Sequence, residues 1–144
     1  MKLFTIGFTK KSAEEFFTRL QKAGVRRVID IRLNNTSQIA GFAKANDLQY
    51  FLKAITGLDY IHISDFAPTQ EILDNLKKKK GSWTEYEKKF CDLMINRRII
   101  NTATELLRDG DCLLCSEHTP EHCHRRLVAE HIQKHIADVE VVHL

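Results

Sequence analysis

The residues with the densest chemistry lie in one short stretch, Leu113–Arg126, which reads LLCSEHTPEHCHRR. It holds two thiols, three imidazoles, two carboxylates and two guanidiniums. Thiols and imidazoles serve as nucleophiles, general bases and metal ligands, and guanidiniums bind anions. The stretch therefore indicates a catalytic pocket, a metal site or a polar helix start. The choice depends on how the surrounding elements place these side chains.

Short apolar strands alternate with amphipathic helices along the chain, which is the pattern of parallel strands joined by crossover helices. The predicted strands are Leu3–Ile6, Arg27–Arg32, Tyr60–Ile63, Asp111–Cys115 and Val139–Val142. We predict a single-domain, doubly wound (Rossmann-like) α/β fold over residues 1–144, with strand order 3-2-1-4-5 and helices on both faces. Ligands of such sheets bind at the carboxyl ends of the strands. The ends of strands one, two and four should therefore share a pocket.

The helices are marked by capping residues. Ser12 with Glu15, and Ser82 with Glu85, have the spacing of capping boxes, and Thr69 is a third candidate N-cap. Further helices are expected before Gly57, over Ile99–Arg108 and after strand four.

The last helix is predicted to begin with Thr119 as its cap and Pro120 at its first position, and to run to about Ile136. At ~100° per residue, Arg125 falls near the centre of its apolar face. A guanidinium there points at the sheet and needs an anion, which Asp30, Glu117 or a ligand would supply. Cys123 lies nearly opposite that face, so it reaches the pocket only if the helix begins later.

Asp30 and Arg32 are two residues apart on strand two and share one face of the sheet. A carboxylate in such an apolar run needs a partner. The pair is either an architectural ion pair or a general base with a substrate clamp.

The four cysteines have different expected roles. Cys112 and Cys115 form a C-x-x-C motif, but this odd spacing places them on opposite faces of a strand, so Cys112 is expected in the core. Cys115 ends the strand, where helix-end amides and Arg125 favour a reactive thiol. Cys91 is expected only to pack within a helix.

A metal site remains an alternative. Cys115, His118, Cys123 and His124 would make a tetrahedral set, although their spacing matches no standard finger or ribbon. No metal ligand and no cofactor is assigned on the sequence.

Length, charge and hydropathy indicate which cellular compartment and which partners to expect. The chain has 144 residues, a formal charge of +3 and no apolar run long enough to span a membrane, and we expect no targeting segment at its start. Free thiols without a leader indicate the cytoplasm. A nucleic-acid partner is not expected, because no aromatic-basic platform is present and the run Lys77–Lys80 is typical of a solvated helix end. The oligomeric state stays open.

Three segments resemble a widespread family of small prokaryotic proteins, domain-of-unknown-function family number 488. They are Thr5-Ile6-Gly7, Asp30-Ile31-Arg32, and Leu114–Glu117 followed by Cys123-His124-Arg125. The resemblance implies a compact cytoplasmic α/β domain without an established reaction. It also implies one site made of Asp30, Arg32, Cys115, Glu117, Cys123, His124 and Arg125. The family's Pro-containing, Ser-Arg loop is replaced here by Leu33–Gln38, in which Asn34, Asn35 and Ser37 favour hydrogen bonding to a neutral polar group.

These features predict a small enzyme, a hydrolase or group transferase, acting on an anionic or nucleotide-like substrate. Arg32 and Arg125 would bind the anion. Asp30 or Glu117 would act as acid or base, and Cys115 or Cys123 as nucleophile. The alternative is a metal-binding or regulatory module without catalysis.

Overall fold

Five strands form one parallel sheet, and their ends match the sequence prediction to within two residues. The computed structural model describes residues 1–36 and 41–144. The strands are β1 Lys2–Gly7, β2 Arg27–Asp30, β3 Asp59–His62, β4 Asp111–Cys115 and β5 Glu140–His143. Every neighbouring pair runs parallel. The predicted α/β class with a five-stranded parallel sheet is therefore confirmed.

The predicted strand order 3-2-1-4-5 is wrong at the centre of the sheet. The order is β3-β2-β4-β1-β5, so β4 lies between β2 and β1. Leu113 of β4 is paired with Ile29 on one side and with Thr5 on the other. All five residues of β4 are buried, as a strand flanked on both edges and both faces requires. An apolar run identifies such a strand but does not say which strands flank it, and this is the reason for the error.

In the described part of the chain, six α-helices connect the strands. They are α1 Ala13–Ala23, α2 Ala45–Phe51, which a π-turn at Leu52–Thr56 extends, α3 Gln70–Lys77, α4 Trp83–Asn96, α5 Ile99–Leu106 and α6 His124–His135. The side chains of Ser12, Thr69 and Ser82 accept backbone N–H bonds at the starts of α1, α3 and α4, which confirms the three predicted caps. The segments that end at Gly24 and Gly57 turn there through φ of 78° and 73°, a conformation that glycine adopts without a steric penalty.

The helices cover both faces of the sheet, as predicted. α1 and α2 pack on one face, in a core that contains Phe16 and Leu114. The helices α3 to α6 pack on the other, in a core that contains Phe90, Leu113 and Ile132. Leu113 and Leu114 enter opposite cores because successive side chains of a strand alternate in direction.

The last helix begins later than predicted. Cys123 is its N-cap, with the extended backbone angles φ −135° and ψ 138°, and α6 begins at His124. Pro120 lies in a turn instead of the first helical position, and its carbonyl accepts a hydrogen bond from the Cys123 N–H at 3.2 Å. The residues between β4 and α6 therefore form a loop over the carboxyl edge of the sheet. This loop brings Cys123 back to the end of β4.

Within residues 1–36 and 41–144, no helix is both long enough and apolar enough to cross a membrane.

Candidate functional site

A cavity of about 210 Å³ opens at the carboxyl ends of β2 and β4. The loop after β2 and the loop after β4 form its floor, and α3 and α4 form its walls. Its polar and aromatic lining residues are Arg32, Asn34, Lys77, Trp83, Tyr86, Cys115, Ser116, Glu117, His122, Cys123 and His124. The prediction that the end of strand one also lines the pocket is wrong, because β4 separates β1 from β2.

Two thiols and an imidazole meet on the cavity wall. The Sγ atoms of Cys115 and Cys123 and one ring nitrogen of His124 all lie within 4.8 Å of one another, and the three residues are buried. The Sγ of Cys115 is 3.3 Å from Nδ1 of His124. These residues are called the thiol–imidazole cluster below. Cys123 reaches it because α6 begins late, which was the condition that the sequence set for its participation.

The imidazole of His124 is held in a fixed orientation. Its Nε2 lies 2.7 Å from the carbonyl oxygen of Ile31, at the end of β2. A carbonyl can only accept, so Nε2 carries the proton and donates it. In the neutral ring, Nδ1 then has a free lone pair directed at Cys115. The ring of Phe90 packs edge-on against it, with centroids 5.6 Å apart.

The two thiols of the cluster differ in acidity. Burial raises the pKa of Cys115 well above its ordinary value, and the nearby Cys123 sulfur raises it further. Burial acts on Cys123 in the same direction. However, hydrogen bonds from Cys115 and from the imidazolium form of His124, with the charges of that imidazolium and of Arg125, outweigh it and hold the pKa of Cys123 well below the ordinary value. The pair therefore favours one thiolate, on Cys123, stabilised by the thiol of Cys115.

Asp30 and Arg32 form the predicted ion pair. The carboxylate of Asp30 accepts from Nε and from one terminal nitrogen, Nη2, of Arg32, both at 2.8 Å, and both side chains are at most 2 % exposed. Tyr60 donates its hydroxyl to the same carboxylate. Burial alone would raise the pKa of Asp30, but the hydrogen bonds and charge of Arg32 hold it below its ordinary value. Asp30 is consequently a fixed carboxylate beneath Arg32 and does not line the cavity.

Arg32 keeps one donor unused. Its second terminal nitrogen, Nη1, is buried and has no hydrogen-bond partner among the described residues. The guanidinium carbon lies 5.3 Å from the centroid of the Phe8 ring, so the aromatic face supports the cation without using a hydrogen bond. Arg32 lines the cavity, and the ion pair with Asp30 fixes its position there.

Arg125 is buried as predicted, but it does not meet Asp30. It is fully buried, and its guanidinium donates from Nη1 to the carbonyl of Glu117 at 2.6 Å and from Nη2 to the carbonyl of His118 at 3.5 Å. Its Nε is buried and has no partner among the described residues. The predicted Asp30–Arg125 contact is wrong. The Asp30 carboxylate binds Arg32, and Arg125 instead donates to carbonyl groups of the loop after β4.

Gly7 makes room for this arrangement at the end of β1. A Cβ at this position would lie 1.6 Å from the carbonyl oxygen of Glu117 and 2.8 Å from Nη1 of Arg125. Any side chain would push the loop off Arg125. This role of Gly7 was not predicted, since a close approach between distant segments has no local pattern in the sequence.

Of the remaining predicted residues, some line the cavity and others lie outside it. Glu117 is exposed and lines the cavity. His118 is outside the cluster, because its Nδ1 lies 3.1 Å from the carbonyl oxygen of Thr9. Asn35 lies within 3.4 Å of the Asp30 carboxylate. Ser37, predicted to hydrogen-bond a neutral group, lies outside the described residues.

An aromatic wall was missed by the sequence reasoning. Trp83 stacks on Tyr86 at 4.7 Å and on His122 at 5.0 Å between ring centroids, and all three line the cavity. The three-residue spacing of Trp83 and Tyr86 predicts that they share the inward face of α4. That spacing identified their face of α4 but did not show that a cavity lies between it and the loop after β4.

The geometry defines the chain as a doubly wound parallel α/β protein with a buried thiol–imidazole cluster at the carboxyl edge of its central strand. Such a cluster has two chemical uses: a cysteine activated by a histidine, or a set of metal ligands.

The chain belongs to the family described as Domain of unknown function DUF488, which matches residues 12–132. This confirms the resemblance found in the sequence. No curated protein and no solved structure gives a significant match.

Proposed function

We propose that this chain is a small enzyme, a hydrolase or group transferase, that binds an anionic substrate in the cavity at the carboxyl ends of β2 and β4. The observation that carries the proposal is that one cavity is lined both by Arg32 and by the thiol–imidazole cluster. A cation with a spare donor and a group able to supply a nucleophile are thus adjacent to the same small volume.

Arg32 is the proposed anchor for the anion. An unpartnered buried donor costs about 1–3 kcal/mol, and an oxygen of a bound phosphate or carboxylate would remove that cost. The bidentate contact with Asp30 fixes the guanidinium before substrate arrives, so little ordering entropy is lost on binding. Arg125 is not part of the anchor, because its terminal nitrogens already bind loop carbonyls.

The size of the cavity limits the substrate. Its volume of about 210 Å³ is below the ~300–1,000 Å³ of pockets that enclose a drug-sized ligand. It therefore suits a compact anionic head, with the rest of a larger molecule, such as a nucleotide, outside. His122 is exposed and stacked on Trp83, and it offers a planar surface where that remainder would lie.

The cluster and Glu117 would carry the reaction. The nucleophile is either a cluster thiolate or a water that the cluster activates. Glu117 is an exposed carboxylate on the cavity lining and is the candidate acid-base group. We further propose that the protein works in the cytoplasm, where the reducing environment keeps such thiols free.

A panel of chromogenic phosphomonoesters, phosphodiesters and carboxylic esters tests this proposal, with inorganic phosphate as the competing anion. We expect hydrolysis of at least one class, competitive inhibition by phosphate, and a rise in Tm with added phosphate. Glu117→Gln should lower kcat by about 10²-fold or more while phosphate binding is kept. The matched control is Glu121→Gln, which removes an exposed carboxylate of the same loop that does not line the cavity.

Two results would overturn the proposal. One is the absence of turnover with every ester together with no effect of phosphate on Tm. The other is an equal loss of activity in Glu117→Gln and Glu121→Gln, which would place the reaction outside the cavity. The second candidate, a metal-binding module without catalysis, is favoured by the ligand-like spacing of the cluster and predicts metal binding without turnover.

A further inference from the structure

The spacing within the thiol–imidazole cluster matches the ligand shell of a single metal ion. The Sγ atoms of Cys115 and Cys123 and one ring nitrogen of His124 are all within 4.8 Å of one another, and the Sγ of Cys115 lies 3.3 Å from the Nδ1 of His124. Around a tetrahedral Zn²⁺ with bonds of about 2.0–2.3 Å, neighbouring ligand atoms lie roughly 3.5–3.8 Å apart. Small side-chain adjustments bring all three atoms to that separation.

The orientation of His124 is a second and independent observation. Its Nε2 donates to the carbonyl of Ile31 at 2.7 Å, which leaves the lone pair of Nδ1 directed at the cluster. Metal-binding histidines donate their other ring N–H to a carbonyl or carboxylate in this way, which fixes both the tautomer and the ring plane. The backbone of β2 thus prepares His124 as a ligand before any ion arrives.

Burial favours a metal ion over a bare nucleophile. Cys115 is 5 % exposed and Cys123 is 2 % exposed, so neither sulfur offers much surface to an external electrophile. A divalent ion with two thiolates and a neutral imidazole has no net charge, which makes its burial less costly than that of an isolated thiolate. The ion would sit at the cavity wall, since all three ligands line the cavity.

The donor set selects the class of ion. Two thiolates and one imidazole suit Zn²⁺ and do not suit Mg²⁺ or Ca²⁺, which prefer oxygen ligands. Structural zinc sites close with four protein ligands, whereas catalytic sites use three and keep one position for water or substrate. His118, the fourth member of the set considered on the sequence, is occupied at the carbonyl of Thr9.

We propose that Cys115, Cys123 and His124 bind one zinc-type ion and leave its fourth position open to the cavity. Such an ion would supply an activated water next to Glu117 and Arg32. Only this use of the ion rests on the proposed function; the binding of the ion does not.

The test is metal binding by protein prepared without a histidine tag and stripped of metal. We expect the wild-type chain to bind one Zn²⁺ and Cys123→Ala and His124→Ala to bind it at least about 100-fold more weakly. The matched control is Cys91→Ser, which also removes a free thiol but in α4, outside the cluster, and should bind as the wild type does. Circular dichroism of each variant shows whether it is folded.

A second readout needs no substitution. Co²⁺ added to the wild-type chain should give thiolate-to-cobalt charge-transfer absorption with the visible bands of a tetrahedral ion. Zn²⁺ that binds with the same affinity to the wild type and to folded Cys123→Ala, or a cobalt spectrum without thiolate bands, would overturn the metal proposal. If zinc does not bind but phosphate-inhibited turnover is present, the metal proposal alone fails. If zinc binds and no ester is turned over, the metal site stands and the proposed enzyme does not.

Discussion

Two bidentate Arg–Asp pairs lie at opposite ends of β2, and they differ in whether the arginine keeps a hydrogen-bond donor available for a ligand. At the amino end, Arg27 donates to both carboxylate oxygens of Asp111 on β4, and the backbone N–H of Arg108 donates to the same carboxylate. At the carboxyl end, Arg32, which follows β2, pairs with Asp30, the last residue of the strand, and its Nη1 has no partner among the described residues. Arg27 and Asp111 tie two strands together, and a terminal nitrogen of Arg27 also donates to the carbonyl of Leu106 at 2.8 Å. The same ion-pair chemistry therefore serves architecture at one end, and at the other it presents a fixed cation to a cavity.

Removal of each carboxylate gives the largest expected effects. Asp30→Asn should lower the free energy of unfolding by about 3–5 kcal/mol, because it leaves a buried guanidinium uncompensated. Asp111→Asn should cost less, since the Arg27 side chain is 15 % exposed, against 2 % for Arg32, and can turn to water. Urea unfolding at neutral pH measures both. An equal or larger loss in Asp111→Asn would remove the distinction between the two pairs.

The second prediction separates the pairs by ligand binding. Arg32→Met should weaken phosphate binding by roughly 10–100-fold, the equivalent of one charged hydrogen bond of about 1.5–3 kcal/mol. Arg27→Met should leave phosphate binding unchanged, although it also removes a paired arginine. Isothermal titration with inorganic phosphate gives both constants. If Arg27→Met weakens binding as much as Arg32→Met, phosphate is bound elsewhere.

A smaller effect is expected from removal of the Tyr60 hydroxyl, which also donates to the Asp30 carboxylate. Tyr60→Phe removes the hydroxyl that donates to this carboxylate and should cost about 1–2 kcal/mol in the free energy of unfolding. Phosphate binding should persist, because Arg32 keeps its bidentate contact. Chemical denaturation and titration of the same preparation measure the two quantities. A Tyr60→Phe chain as unstable as Asp30→Asn would mean that the tyrosine, and not Arg32, holds the carboxylate.

The last prediction concerns the slope of stability in acid. Burial tends to raise the pKa of Asp30, but Arg32 and Tyr60 hold it below its ordinary value. A carboxyl group with a depressed folded-state pKa contributes stability above its unfolded pKa, near 3.9, and that contribution is lost as the pH falls through the folded-state pKa. Below about pH 4, the wild type should therefore lose stability more steeply than Asp30→Asn. Parallel stability curves for the two chains would contradict this assignment.

The sequence predicted the elements well because each has a local cause. Strand β4 is a continuous apolar run, and Ser12, Thr69 and Ser82 occupy positions that need a side-chain acceptor. The position of β4 between β2 and β1 depends on pairing between distant segments, which such runs do not encode. The prediction therefore gave β4 one correct neighbour, β1, and one incorrect neighbour, β5 in place of β2.

The site was predicted only in part, because some of its contacts have a local pattern in the sequence and others do not. Helical periodicity placed Arg125 inside correctly, but its partners are the carbonyls of Glu117 and His118, and backbone acceptors have no sequence signature. Pro120 was predicted at the first helical position, and the true start at His124, four residues later, decided the direction of Cys123. The meeting of Cys115, Cys123 and His124 thus depended on a loop conformation that local patterns did not specify.

The place of β4 in the sheet sets the order in which a growing chain can become functional. β1 and β2 do not pair with each other, and the strand that fills the gap between them is made only after α5. Before β4 is made, β1 and β2 each have an unpaired edge. β4 must pair with both edges late, and its partners are distant from it in the sequence. Since β4 ends in Cys115 and the loop after it leads to Cys123 and His124, the thiol–imidazole cluster cannot form before this central strand has been made.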